Sequence, residues 1–158
     1  MTFIHVYASS ASRDTGLYPN GNNYVLHMTT PVRDISKVEL LYAFLPNMNT
    51  IPAVFLDISE LRTPFNIDAK SITSTNTFSG QNMARSFAMI PTDFSGTNIV
   101  KQFNKSDFDW AVEYPTPIRK LDRLTIKWTD QSGSVVVFPT NDNSCLLRFH
   151  TITRNFEQ

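Results

Sequence analysis

Residues 121–138, LDRLTIKWTDQSGSVVVF, carry the pattern that most clearly indicates the fold class. In its first half Leu124, Ile126 and Trp128 alternate with polar residues, which is the period of a strand that buries one face. Trp128 is therefore expected to be buried. The tetrapeptide DQSG at 130–133 predicts a hairpin loop with Gly133 in the left-handed conformation that suits glycine. A strand, a tight turn and a second apolar run together predict antiparallel pairing.

Short alternating segments of the same kind run along the rest of the chain, separated by turn-forming residues such as PNGN at 19–22. The predicted strands are 3–8, 24–28, 36–45, 53–58, 86–90, 109–114, 121–129, 134–138 and 144–153. The alternation in 36–45 predicts two faces, one with Val38, Leu40, Tyr42 and Phe44 and the other with Lys37, Glu39 and Ala43. A short helix is predicted at 96–104.

About nine short strands without crossover helices predict an all-β fold, either an antiparallel β-sandwich or a closed barrel. A chain of 158 residues suits one domain, which can bury roughly 70% of the surface of its unfolded form. This domain is expected to span 1–158, with an N-terminal strand and loop at 1–20. Residues 63–84 are polar with little periodicity and predict a long insertion loop, a kind of connection that is usually functional.

Composition excludes several classes of protein. Fourteen Lys and Arg residues balance fourteen Asp and Glu residues, so the formal net charge is zero, and a dedicated nucleic-acid binder is not expected. No run approaches the ~18 apolar residues of a membrane span. Residues 1–13 lack the basic and apolar regions of a secretory signal, so none is expected. The single cysteine, Cys145, excludes an internal disulfide framework and fits a reducing compartment.

Residue types that often carry catalysis occur here without the required spacing. His5, His27 and His150 form no metal-binding pair and are expected to be solvent-facing or interface histidines. Cys145 and His150 are five residues apart on one predicted strand, which places them on opposite faces, and Cys145 is expected to be a buried structural residue. We therefore predict no enzymatic activity, no catalytic residue, no cofactor and no metal.

The charged and aromatic clusters have similarly ordinary interpretations. Asp107 and Asp109 could together bind Ca²⁺, but no third ligand accompanies them, and solvated loop charge is favoured. Trp110 and Trp128 could stack on sugars if they were exposed, but core or interface positions are favoured. A solvated charged face is predicted for the basic residues that interleave with Asp122, namely Arg119, Lys120, Arg123 and Lys127.

A series of strand and turn signatures follows in a consistent order through most of the chain. They are SRD at 12–14, YPNGNNYVL at 18–26, VEL at 38–40, LPN at 45–47, FAMIP at 87–91, PIRKLDRLTI at 117–126, WTDQSG at 128–133 and SCLLRF at 144–149. Together they resemble the single jelly-roll capsid proteins of large icosahedral double-stranded DNA viruses. Residues 63–84 carry no element of this resemblance.

The resemblance implies a single jelly-roll antiparallel β-sandwich, with two sheets of about four strands, that serves as a penton (vertex) protein or a minor capsid protein. Such a subunit contacts the major capsid protein and other capsid subunits, forms a homopentamer if it is the penton, and binds no nucleic acid directly. It belongs to the virion and is assembled in the host cytoplasm. Segment 3–8 exceeds the eight strands of a jelly roll and is expected to act as an N-terminal arm that pairs with a neighbour's sheet edge.

Two further expectations accompany this interpretation. A carbohydrate-binding β-sandwich used in attachment is the alternative function, and it requires an exposed aromatic platform flanked by Asn or Asp. Low charge with many aromatic residues is typical of a protein whose surface is mostly interface, so the isolated subunit is expected to self-associate.

Overall fold

The computed structural model describes residues 2–46, 51–67, 82–92, 101–104, 109–138 and 142–152. Seven strands account for most of these residues: β1 Thr2–Ser9, β2 Asn23–Leu45, β3 Ala53–Ile58, β4 Ala88–Pro91, β5 Lys101–Asn104, β6 Trp110–Asp130 and β7 Ser144–Thr151. Two 3-10 turns, Ser10–Ser12 and Ser59–Leu61, and one single-turn helix, α1 Asn82–Arg85, complete the described elements. The all-β prediction is confirmed.

All seven strands belong to one antiparallel sheet, in the order β1-β7-β2-β6-β3-β4, with β5 pairing with β2. This differs from the two sheets of about four strands that the resemblance implies. The reason lies in the length of β2 and β6, which have 23 and 21 residues. The N-terminal half of β2 pairs with β6, while its C-terminal half pairs with both β6 and β7. The two long strands therefore connect regions that would otherwise be separate sheets.

Several predicted segments have different bounds in the structure. The predicted strands 24–28 and 36–45 are parts of β2, and 109–114 and 121–129 are parts of β6. The helix predicted at 96–104 is wrong for 101–104, which form β5, because pairing with β2 supplies the backbone partners that a short isolated helix lacks. Most of the insertion predicted at 63–84, and residues 96–100, lie outside the described residues.

The hairpin at 130–133 forms as predicted, but its second arm does not continue as a strand. Gly133 has φ 84°, and its N–H donates to the carbonyl of Asp130 over 3.0 Å. The segment 134–138 makes a single bridge, between Thr129 and Val135. Trp128 is fully buried, as predicted, and contacts the ring of Phe138 edge-on.

An irregularity in β2 reverses part of the predicted face pattern. Pairing of β2 with β7 shifts between Leu40 and Tyr42, so one residue is inserted into the alternation. Beyond it, Ala43 is fully buried, whereas Tyr42 lies on the opposite, outer face. The prediction that Tyr42 and Phe44 share the buried face of Val38 and Leu40 is therefore wrong.

The core fills the inner face of the curled sheet. Its largest fully buried side chains come from β2, β3, β6 and β7 and from the segments beside them: Trp128, Tyr24, Phe87, Phe149, Ile35, Leu40, Leu45, Leu56, Ile58 and Leu61. Burial raises the pKa of the Tyr24 phenol well above its usual range, and its hydroxyl donates to Asn143. This core leaves the outer face of the β1, β7 and β2 strands to solvent.

Candidate interaction surface

Strand β1 lies at one end of the sheet and pairs with β7 through eight consecutive residue pairs. On its inner face, Ile4 and Val6 pack against the core. On its outer face, Phe3 and Tyr7 are 55% and 64% exposed, and His5 between them is also exposed. Segment 3–8, expected to be an arm that pairs with a neighbour's sheet edge, thus forms an edge strand of its own domain through pairing with β7.

Residues of β1, β7 and β2 form three rows across the outer face, because directly paired residues of a sheet share a face. The rows are Phe3–His150–Lys37, His5–Arg148–Glu39 and Tyr7–Leu146–Tyr42. The first two carry the charges of this face and the third is apolar and aromatic. The three rows define what we call the outer face.

Glu39 is the centre of an ionic cluster on the outer face. Its carboxylate lies 2.7 Å from His150 Nε2, 3.5 Å from Lys37 Nζ and 3.6 Å from Arg148 Nη1. Only 4% of Glu39 is exposed, so the surrounding cations compensate a charge that burial would otherwise make costly. The cluster links β2 and β7 and fixes the side chains of the outer face.

The aromatic residue at the start of β1 covers this cluster. The Phe3 ring meets the His150 ring edge-on at 4.8 Å between centroids, and the Arg148 guanidinium lies 5.8 Å from the Phe3 centroid. Arg148 Nε also donates to His5 Nε2 over 3.1 Å. These contacts order the outer side chains of β1 before any partner binds, which lowers the entropy cost of binding.

A groove of about 410 Å³ separates β1 from residues 26–32 of β2. Consecutive residues of both segments line it, so each segment presents its edge to the groove. Its apolar lining consists of Ile4, Val6, Ala8, Leu26, Met28, Val32 and Leu124. The groove is an opening onto the core at the edge of the sheet.

A second cleft, of about 460 Å³, lies where the loops after β1 and before β7 meet. Arg13, Asn20, Asn22 and Asp142 line it together with aliphatic and aromatic carbon. Arg13 Nη1 contacts the Asp142 carboxylate at 3.0 Å. The cleft is polar, and its charged groups are already paired with each other.

Asn143 holds the loops of this polar cleft together. Its backbone N–H donates to Ser10 Oγ over 3.0 Å, its side-chain N–H donates to the Gly21 carbonyl, and its amide oxygen accepts from the Tyr24 hydroxyl over 2.8 Å. A Cβ on Gly21 would lie 3.2 Å from Ser10 and 3.3 Å from Asn143. Glycine at 21 therefore permits the close approach of these loops, and it does not adopt the left-handed conformation.

The structure separates the three histidines of the sequence analysis. His5 and His27 are exposed, as expected, but His150 is buried beside Glu39. Cys145 is buried on the inner face, opposite to His150, as predicted, and burial raises the pKa of its thiol to about 12. No nucleophile and base are brought together by this pair.

The remaining candidates also have definite positions. Asp109 is exposed, and Asp107 lies outside the described residues. Of the residues predicted to form a solvated charged face, Arg119, Lys120, Asp122 and Arg123 are exposed and Lys127 is half-buried. Lys120 pairs with Asp122 at 3.0 Å and Arg123 with Glu60 at 3.4 Å. Trp110 is partly buried, and its indole N–H donates to the Phe87 carbonyl.

Local sequence patterns do not reveal the pairing of Glu39 with His150. The two residues are 111 positions apart, and alternation along β2 marks Glu39 only as an outward residue. The available signal is that outward charges of opposite sign occur on two strands, Lys37 and Glu39 on one and Arg148 and His150 on the other. Only the strand register shows that these residues meet.

Among the described residues, no group of three or more His, Cys, Asp or Glu side chains could hold a metal ion. In the same part of the chain, no helix is both long and apolar enough to cross a membrane. Comparison with protein-family models finds no family that matches the chain, and comparison with curated proteins finds no matching relative.

Proposed function

We propose that this protein is a structural subunit of an icosahedral viral capsid, either the penton at the vertex or a minor capsid protein that contacts the major capsid protein. The observation that carries the proposal is the edge strand β1. Its exposed Phe3 and Tyr7 stand on an ordered outer face, and its end position leaves a strand edge for a neighbour. The sequence resemblance to single jelly-roll capsid proteins supplies the identity of the shell.

We further propose that the curled sheet functions as a single jelly roll. The bent strands β2 and β6 would serve as members of both layers, which is compatible with their length and with the register shifts of β2 at 27–32 and 35–37. Asp34, between these shifts, has φ 52°, a conformation that Asp tolerates better than most residues. Loops at the ends of the layers would meet neighbouring subunits.

A shell subunit of this kind needs no catalytic residue, cofactor or metal. Its partners would be the major capsid protein, other capsid subunits and, in a vertex position, four further copies of itself around the five-fold axis. It would be found in the virion, after assembly in the host cytoplasm. The zero net charge suits a protein whose surface is mostly covered by neighbours.

Purified virus particles test this proposal. We expect mass spectrometry to find the protein together with the major capsid protein, and particle density to contain its domain at a vertex or at another fixed position in the shell. Washing with mild detergent, which removes loosely bound proteins, should leave it in the particle. Its absence from washed particles would overturn the proposal.

The polar cleft at the loop end favours one alternative, a carbohydrate-binding module. Amide and carboxylate groups of Asn20, Asn22 and Asp142 are suitable partners for sugar hydroxyls, whereas the aromatic ring in the lining, Phe138, is buried against Trp128 and is not an exposed platform. A glycan array probed with the wild type and with Asp142→Ala would test it. Binding that is lost in the variant supports attachment, and the absence of any bound glycan removes this alternative.

A further inference from the structure

Strand β1 carries none of the sequence features by which natural proteins prevent strand edges from pairing. Such edges usually carry Lys, Pro, a bulge or an inward charge. Strand β1, TFIHVYAS, has no Lys, Arg, Asp, Glu or Pro, and its pairing with β7 is regular through all eight residues. A long, uncharged and regular edge strand is a template for another strand.

We propose that a second copy of this chain occupies this edge, through two-fold antiparallel pairing of β1 with β1. The inference goes beyond capsid function and does not depend on it. Because both strands are the same, the pairing must satisfy the same face pattern from both sides. That condition determines the register.

The face pattern excludes half of the possible registers. Directly opposite residues share a face of the sheet, so the outward set Phe3, His5 and Tyr7 must pair within itself. A register that overlaps all eight residues would place Phe3 opposite Ala8, which points inward, and is therefore excluded. In one register, residues 2–8 of the two copies overlap, outward residues lie opposite outward residues, and inward residues lie opposite inward residues.

In that register the two-fold axis passes between the two His5 residues. Phe3 lies opposite Tyr7 of the second copy, twice, and Ile4 lies opposite Val6 of the second copy, twice. Cross-strand aromatic pairs and β-branched pairs each stabilise a sheet. The inward pair extends over the apolar groove between β1 and residues 26–32, so the second copy would cover the opening onto the core.

Charge is compatible with two like copies meeting at this edge. Among the β7 residues that pair with β1, the one with a fixed charge is Arg148, whose row continues through His5 into the second copy. Three strand spacings separate the two Arg148 residues, or about 14 Å, which exceeds the Debye length of about 8 Å at physiological ionic strength. Each Arg148 also has Glu39 as a counter-charge.

The aromatic rings contribute a large part of the area that a specific contact needs. With Phe3 and Tyr7 exposed to 55% and 64%, the four rings of a dimer expose on the order of 500 Å². A specific interface needs roughly 1,000 Å². The strand edges and the groove residues Ile4, Val6 and Met28 must supply the rest, which predicts a reversible dimer.

A two-fold contact is isologous and cannot by itself close a five-membered ring. A vertex pentamer would therefore need a second, heterologous surface, whereas a minor capsid position between two symmetry-related sites would not. Loss of the dimer leaves the capsid proposal intact, and absence from particles leaves the dimer intact, so the two proposals fail separately.

Cysteine cross-linking tests the register. Directly opposite residues have Cα atoms about 4.5–5.5 Å apart, within the range that a disulfide spans, so His5→Cys is expected to give a covalent dimer on mild oxidation. Native Cys145 is buried on the inner face and should not compete. Phe3→Cys alone places its two thiols about 13 Å apart along the strands and should not cross-link. Phe3→Cys mixed with Tyr7→Cys should cross-link as a heterodimer.

Sedimentation equilibrium tests the contact without a cross-link. The wild type and His5→Gln are expected to show a monomer–dimer equilibrium. His5→Lys places two like charges directly opposite each other and should weaken the dimer about fivefold or more, with circular dichroism unchanged. A wild type that remains monomeric at high concentration would overturn the proposal. So would Phe3→Cys that cross-links alone as readily as His5→Cys.

Discussion

Glu39 on β2 and His150 on β7 form a buried pair on the solvent-facing side of the sheet, with 2.7 Å between Oε2 and Nε2. The pair is buried because Phe3 covers the His150 ring and because Lys37 and Arg148 surround the carboxylate. It joins the long strand β2 to the strand that carries β1. The position of the edge strand therefore depends on a polar contact in addition to the core.

Removal of the Glu39 carboxylate should destabilise the domain. Glu39→Ala leaves three basic side chains without their shared counter-charge, and breaking a buried ion pair costs about 3–5 kcal/mol. Urea unfolding followed by circular dichroism measures the loss. Glu113→Gln is the matched control on the same face, because Glu113 is 79% exposed, and a change below about 0.5 kcal/mol is expected for it. Equal losses in the two variants would refute the role given to Glu39.

The Cys145 thiol should not react in the native protein at pH 8. Burial raises its pKa from 9.0 to about 12, so little thiolate forms, and no solvent path reaches a fully buried sulfur. Reaction with a thiol-specific chromogenic disulfide should be complete only after unfolding in urea. Rapid stoichiometric reaction without denaturant would contradict the burial of Cys145.

Stability should fall at alkaline pH. The thiol of Cys145 ionises near 9.0 in the unfolded chain and near 12 in the folded chain, so the unfolded state loses its proton first. The pKa of Tyr24 is raised in the same direction by burial. Stability from both groups is therefore fully present below about pH 9 and is lost as the pH rises above it. The variant Cys145→Ala is expected to have a lower free energy of unfolding at every pH, because the substitution leaves a cavity. Its free energy of unfolding should fall less steeply above pH 9 than that of the wild type, because the contribution of Cys145 is absent.

Substitution of Gly133 should disturb the hairpin between β6 and the segment that follows it. With φ 84°, an alanine at 133 would cost about 1–2 kcal/mol, and asparagine, which tolerates positive φ, should cost less. Thermal unfolding of Gly133→Ala and Gly133→Asn measures the difference. Equal stability of glycine and alanine at this position would show that the turn has another conformation.

Loss of the Asn143 side chain should open the polar cleft. Asn143→Ala leaves the Tyr24 hydroxyl and the Gly21 carbonyl without their partner, at about 1–3 kcal/mol for each buried group. Hydrogen exchange at residues 10–22 should increase more than exchange in β7. Leu17→Ala, at an exposed site in the same loop, is the control and should leave both unchanged.

Local patterns predicted the parts of this fold that depend on near neighbours. The alternation of apolar and polar residues predicted that Trp128 is in the core. The turn-forming sequence DQSG predicted that Gly133 has a positive φ. The insertion after Leu40 carries no comparable signal, because Leu41 and Tyr42 both suit a strand, and which of them faces the core depends on pairing with β7. For that reason the outward position of Tyr42, and with it the apolar row of the outer face, was not predictable from alternation.

Non-local pairing likewise determines the candidate surface. His5 and Arg148 are 143 residues apart, and the sequence marks each only as an outward polar residue. The prediction of an arm at 3–8 rested on a count of nine strands, whereas the described residues form seven, and it could not show that β7 pairs with this segment. In contrast, the absence of charged residues and proline from β1 is evident from its eight-residue sequence. It becomes informative once the strand is known to lie at an edge.

Density for purified particles is the decisive measurement of whether this protein is a building block of a capsid shell. We expect the single-sheet domain to fit a repeated position in the shell, with β1 against a neighbouring subunit. Washed particles without the protein would contradict the claim, and so would a shell position in which the outer face and the edge of β1 both remain in solvent.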